Sequence, residues 1–153
     1  MASAFKRFKK LIIDLLNEGK SVSELSIAIS IGMLLGIFPV LGVTTVTCIA
    51  LGKIFKLNIP TLLAANYVVF PIQVVMIYAL IKTGEFIFNL ENQIDYEFFK
   101  TLLEEDLLVI VQTLGYNLLA AVASWTLLGL ILYLPLYHMS KAVLIRTKLR
   151  KTA

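Results

Sequence analysis

Apolar residues in this chain gather into three long blocks without a single charged side chain, at residues 25–52, 57–81 and 107–140, and the charges are confined to the islands between and around them. Each block exceeds the roughly 20 apolar residues that a helix needs to cross a hydrocarbon core of about 30 Å. The pattern predicts an all-α integral membrane protein. Ahead of the first block the periodicity changes. Phe5, Phe8, Leu11, Ile12, Leu15 and Leu16 recur at spacings of three and four, while Lys6, Arg7, Lys9, Lys10 and Asp14 fill the other face. This is the signature of a basic amphipathic interfacial helix over residues 1–20. Packing of the same stripe on the membrane domain is the plainer alternative. Gly19 and Lys20 would close that helix, and Ser21 or Ser23 offers an N-cap to the next.

The first block carries its own turn. Gly36-Ile37-Phe38-Pro39-Val40-Leu41-Gly42 sits at its middle, where proline removes a backbone donor and two glycines permit reversal. The arms on either side, residues 25–38 and 43–55, would each be about 20 Å long as helices, too short to span alone. A re-entrant or short helical hairpin broken at Pro39 is expected. The second block repeats the theme, because Val69-Phe70-Pro71-Ile72 matches Ile37-Phe38-Pro39-Val40 in type. It predicts a second proline-broken membrane helix at Pro71, and an internal duplication would account for the likeness. The third block predicts a long membrane helix, tilted or broken near Gly115 or Pro135, with Ala120, Ala121, Ala123 and Ser124 small enough for close packing.

Charge sets the orientation. Lysine and arginine crowd both ends, which places both termini in the cytoplasm and makes residues 141–153 a basic cytoplasmic tail. Residues 85–106 hold Glu85, Glu91, Asp95, Glu97, Glu104, Glu105 and Asp106 against Lys100, so this acidic segment is expected outside, with Phe98, Phe99, Leu102 and Leu103 giving it an amphipathic helix. Two cytoplasmic ends require an even number of crossings. Since Lys53 and Lys56 hold the connection between the first two blocks inside, the first block is the one that turns back.

Composition adds one boundary. Of the 153 residues 59% are hydrophobic and 16% charged, with a mean hydropathy of +0.87. One membrane domain over residues 21–140 fits, with no separate catalytic domain beside it. The chain has one histidine and one cysteine, no phosphate-cradling glycine loop and no carboxylate inside an apolar block. No catalytic set, metal site or cofactor is expected, and neither is a nucleic-acid partner. Cys48 reads as a packing residue and His138 as an interfacial one.

Candidate ligand contacts cluster at the interruptions. Thr44, Thr45 and Thr47 follow the first break, although their hydroxyls can equally bond to carbonyls one turn back. Asn66 and Gln73 bracket Pro71, and each carries an amide that a bilayer leaves without water; helix-to-helix bonding and a lined cavity both answer that need. Asn58 reads first as a helix cap ahead of Pro60. Lys53 and Lys56 suit either snorkelling or the phosphate of a lipid head group.

Gly36-x-x-Pro39-x-x-Gly42-x-Thr44-Thr45, then Lys56-Leu57-Asn58-Ile59-Pro60 and an aromatic-centred run reaching Pro71 and Gly84, resembles the bacterial membrane family catalogued as domain of unknown function DUF2062, over about residues 25–88. Where many members carry an Asn-Pro pair followed by a small hydroxyl residue, this chain has Phe70-Pro71 and Gln73. Some relatives are joined to glycosyltransferase-like domains, which implies a connection with lipid-linked sugars. The expected function is transport or handling of an anionic lipid head group or small solute between the two proline breaks, through Pro39, Gly42, Thr44, Thr45, Lys53, Lys56, Asn58, Asn66, Pro71 and Gln73. The expected partners are membrane lipids, anionic or sugar-linked. A homo-oligomer or a membrane partner is the other partner expectation. The alternative function is a non-catalytic scaffold or accessory subunit that recruits membrane or cell-envelope enzymes.

Overall fold

The structure, a computed structural model, describes residues 10, 13–14, 20–40, 42–90, 94–102, 104–105 and 107–152. The interfacial helix expected over residues 1–20 therefore falls almost wholly outside the described residues. Those that are described form helices and connections without strands: α1 Val22–Gly36, α2 Thr44–Ile54, α3 Ile59–Phe88, α4 Tyr96–Leu102 and α5 Leu107–Thr152.

Local chemistry sets most of the ends. Ser21 caps α1 by accepting from the Glu24 amide at 3.1 Å, while the Glu24 carboxylate accepts from the Ser21 amide at 3.4 Å, a reciprocal box that satisfies two free donors. α2 closes with Lys56 in the left-handed region (φ 53°) and the Leu57 amide donating to the Gly52 carbonyl at 2.9 Å, the Schellman arrangement. Asn58 caps α3, accepting from the Thr61 amide at 3.0 Å and the Thr61 hydroxyl at 2.6 Å, with Pro60 in the first turn where no donor is missed. α3 ends on Asn89 at φ 49°, with the Leu90 amide returning to the Glu85 carbonyl.

Glycines decide how the helices meet. A side-chain carbon on Gly32 would fall on the Leu62 carbonyl, and one on Gly36 would fall on Val69 and stand 2.8 Å from the Asn66 carbonyl oxygen. α1 thus runs parallel to α3 with the two backbones nearly touching, as a Gly-x-x-x-Gly spacing permits. α2 returns antiparallel: Gly52 lies against Ile59, and the Thr45 hydroxyl meets the Tyr67 hydroxyl at 3.3 Å. At the far end of α3, Gly84 admits Ala120 of α5 at 2.7 Å from where its own side chain would begin. α5 then descends antiparallel until Leu144 packs with Leu25, Ile29 and Ala65.

α1 is buried on nearly all sides, between α3, α5 and α2. Its 15 residues give a length of about 22 Å, half that of α3. The bend at the α1–α2 tip accordingly stands beside Gln73, midway along α3. The other half of α3 is covered from the opposite direction, where Ile94 and Phe99 pack with Ile77, Leu80, Ile81 and Ala121, and Tyr78 sets its ring edge-on to Tyr96. The amphipathic helix expected in the acidic segment is present as α4, with Asp95 capping it and Phe99 as its buried residue.

Among the described residues two helices are long and apolar enough to cross a membrane, Ile59–Phe88 and, within α5, Gly115–Lys148. Burial here reverses the usual rule for soluble proteins. On these two helices Phe86 is 87% exposed and Leu130 and Ile131 are above 70%, whereas their Thr61, Asn66, Gln73 and Ser124, like Ser26 and Ser30 of α1, are at most 1% exposed.

Several expectations need correction. α3 passes through Pro71 as continuous helix, and Pro71 sits on its exposed face. A proline inside a helix removes a single donor, here the one that would have served the Tyr67 carbonyl, and the flanking turns of a 30-residue helix hold their shape around that gap. α5 likewise continues through Pro135, and the expected tail from residue 141 is its helical extension to Thr152. The acidic segment starts later than expected: Glu85 is a buried member of α3.

Candidate functional site

The interruption between α1 and α2 exposes backbone that would ordinarily be paired, so the first question is where its hydrogen bonds go. α1 tightens at its end, the Ile37 and Phe38 amides reaching the Leu34 and Leu35 carbonyls at 3.3 and 3.1 Å. Two side chains from other helices supply further donors. Trp125 of α5 donates its indole N–H to the Leu34 carbonyl at 2.9 Å, and Gln73 of α3 donates Nε2 to the Phe38 carbonyl at 2.9 Å. The Phe38 ring meets Trp125 edge-on with centroids 4.9 Å apart. Pro39 is buried behind them, and Gly42, at φ 83°, takes the reversal that lets α2 begin.

The cap is incomplete on one side. Gln73 Oε1 and both the Oδ1 and Nδ2 atoms of Asn66 are buried without a hydrogen-bond partner. Asn66 lies two turns before Gln73 on the same face of α3 and is 1% exposed, with Oδ1 against the last turn of α1 at Gly36. Leaving such an amide unpaired costs about 1–3 kcal/mol. Thr44, also buried, opens α2, whose N-cap Val43 supplies no side-chain bond. The tip therefore carries one buried donor group, Asn66 Nδ2, and two buried acceptors, Asn66 Oδ1 and Gln73 Oε1, that no other group of the described residues satisfies.

The ten expected contacts separate into three places. Pro39, Thr44, Asn66 and Gln73 lie at the tip. Thr45 is turned to Tyr67, while Gly42 and Pro71 lie on exposed surface. Lys53, Lys56 and Asn58 are at the opposite end of α2, and the Asn58 oxygen is occupied by Thr61. The tip thus sets one break against an unbroken helix, not two breaks against each other.

Sequence reasoning gives no role to Trp125 or Gly32 and assigns Glu85 to the external acidic segment. The Gly32-x-x-x-Gly36 spacing was a usable signal for the α1–α3 contact. A buried tryptophan needs a partner for its N–H, but no spacing says which carbonyl it will find. Glu85 is held by three donors: its Oε1 accepts from the Ile94 amide at 2.8 Å and from Asn117 at 2.9 Å, and its Oε2 from Lys82 at 2.8 Å.

These features define an all-helical protein with two helices of bilayer length and a shorter pair folded against them. The chain belongs to the family described as "Uncharacterized protein conserved in bacteria (DUF2062)", which matches residues 5–153 and so extends well beyond the stretch on which the resemblance was first read. Comparison with curated proteins and with solved structures found no match.

Proposed function

We propose that this is a membrane-embedded binding protein whose α1–α2 pair re-enters the bilayer from the lysine-rich side and presents, at half depth, a hydrogen-bonding site for the polar head group of a lipid or a small solute in transit. α3 and α5 are the crossings in this reading, both termini and Lys53 and Lys56 lie on the cytoplasmic face, and α4 lies on the other. The observation that carries it is the unpartnered Asn66 amide beside Gln73 Oε1 at the tip. Unwound backbone at membrane depth persists where protein or a polar cavity satisfies it, and discontinuous helices are where transport folds hold their cargo. The role is binding and movement, without chemistry on the ligand.

A scaffold role has less to rest on. Of the small residues that would recruit foreign helices, Ala120, Ala121 and Ser124 are buried within this chain, Ala120 directly against Gly84, and Ala123 alone is half-buried.

Asn66→Leu tests the proposal, because it fills nearly the same volume without an amide. Lipids and solutes that co-purify in mild detergent, identified by mass spectrometry, should lose one head-group or solute class in the variant while thermal stability holds or rises. An unchanged co-purifying set with raised stability would make Asn66 a mere packing defect and defeat the reading.

A further inference from the structure

At the open end of the α1–α2 pair, away from the tip, the start of α1 and the turn between α2 and α3 stand on either side of a groove of about 510 Å³. That volume lies within the range of about 300–1,000 Å³ typical of small-molecule sites. Lys20 borders it from one side and Lys56 from the other, and both side chains are exposed. Between them the floor is apolar, made by Leu25, Ile27, Leu57 and Pro60. Glu24 also borders the groove, with its carboxylate turned to the Ser21 amide as part of the α1 cap.

We propose that this groove binds the phosphate of an anionic phospholipid between Lys20 and Lys56, with the glycerol and first methylenes on the apolar floor. The inference rests on the membrane reading above and is independent of the α1–α2 tip. Three observations converge on it. Lys20 and Lys56, from segments far apart in sequence, both line one concavity, where two ammonium groups can reach a single anion. Beside it, Ile54 and Phe55 are 69% and 64% exposed, so the groove opens onto a surface suited to acyl chains instead of bulk water. Lys56 also occupies the left-handed position of a Schellman turn, where glycine is the unstrained residue, so its charge stands beside this groove at a conformational cost. A lipid is favoured over a free anion because the floor and the adjoining surface are apolar.

The test uses the full chain in mild detergent, titrated with phosphatidylglycerol, phosphatidylcholine or glycerol phosphate and read by native mass spectrometry. Phosphatidylglycerol should bind more tightly than the other two. Lys56→Gly should weaken it about fivefold, the effect of about 1 kcal/mol per interfacial lysine, while leaving thermal stability unchanged or higher because glycine relieves the strained turn. Lys20→Ala should add a similar loss, and Lys20→Arg and Lys56→Arg should restore binding. Equal loss in Arg146→Ala, which lies outside the groove, would show diffuse attraction to a basic surface and overturn the proposal. So would equal affinity for phosphatidylcholine or glycerol phosphate. Asn66→Leu should leave this binding untouched, which keeps a failure here distinct from a failure at the tip.

Discussion

Glu85 and Asn66 are both buried polar residues on the inner face of α3, and the fold treats them in opposite ways. Around Glu85 every acceptor is matched: a lysine one turn back, a backbone amide from the segment that leads into α4, and an asparagine from α5 converge on two oxygens within 2.9 Å. Around Asn66 neither amide atom has a partner, although the residue is 1% exposed. A satisfied cluster ties three elements together. An unsatisfied one costs stability and leaves its bonding capacity unused. On the proposed reading the comparison separates a structural from a ligand-binding polar residue on one helix, where burial and polarity alone would not.

Substitutions can break that contrast, beginning with the largest effect. Glu85→Ala should lower stability by about 2–4 kcal/mol, since it removes the acceptor of the Ile94 amide and one partner each of Lys82 and Asn117; denaturation in detergent would read the loss, and a change under 1 kcal/mol would mean the cluster is not the clasp described. Gly36→Ala should cost about 1–3 kcal/mol, because the new methyl meets the Asn66 carbonyl and Val69 and must push α1 off α3. The two tip amides should then differ in sign. Gln73→Leu removes the donor to Phe38 and should destabilise by about 1–3 kcal/mol, whereas Asn66→Leu deletes unpaired atoms and should stabilise by about 1–2 kcal/mol. Parallel melting curves of the two variants would settle this, and losses of equal size would erase the distinction between the bonded and the unbonded amide. Trp125→Phe should give the smallest change, about 1 kcal/mol, by losing the bond to Leu34 while keeping a ring near Phe38.

The hydrophobic pattern carried the broad architecture. Three charge-free blocks became a short helix pair and two long helices, and the expected interruption of the first block falls between Gly36 and Thr44. Two nearly identical Phe-Pro pairs nevertheless have different fates. Pro39 lies between Gly36 and Gly42, the latter at a positive φ, and the carbonyls of the ended helix find donors in Gln73 and Trp125. Pro71 has no glycine within reach and faces outward, so the helix absorbs it. The dipeptide therefore does not signal a break by itself; neighbouring glycines and distant donors decide. Glu85 was misplaced for a related reason. A charge-free block stops at the first charge, Lys82, yet Lys82 and Glu85 are paired one turn apart and their helix continues to Phe88. The candidate site was legible in part, because Asn66 and Gln73 stand out as amides in an apolar run. Their separate roles depend on contacts across 35 residues in one case and 91 in the neighbouring Trp125 bond, which local spacing does not encode.

The central claim is that the α1–α2 pair starts and ends on one side of the membrane. In a Cys48→Ala background, single cysteines at Lys20, Lys53, Glu97 and Lys148 can be exposed to a membrane-impermeant thiol reagent applied from each face of oriented vesicles. The account predicts that positions 20, 53 and 148 label from one face and position 97 from the other. Labelling of position 53 from the face that labels position 97 would mean that the first block crosses the membrane, and would contradict the account.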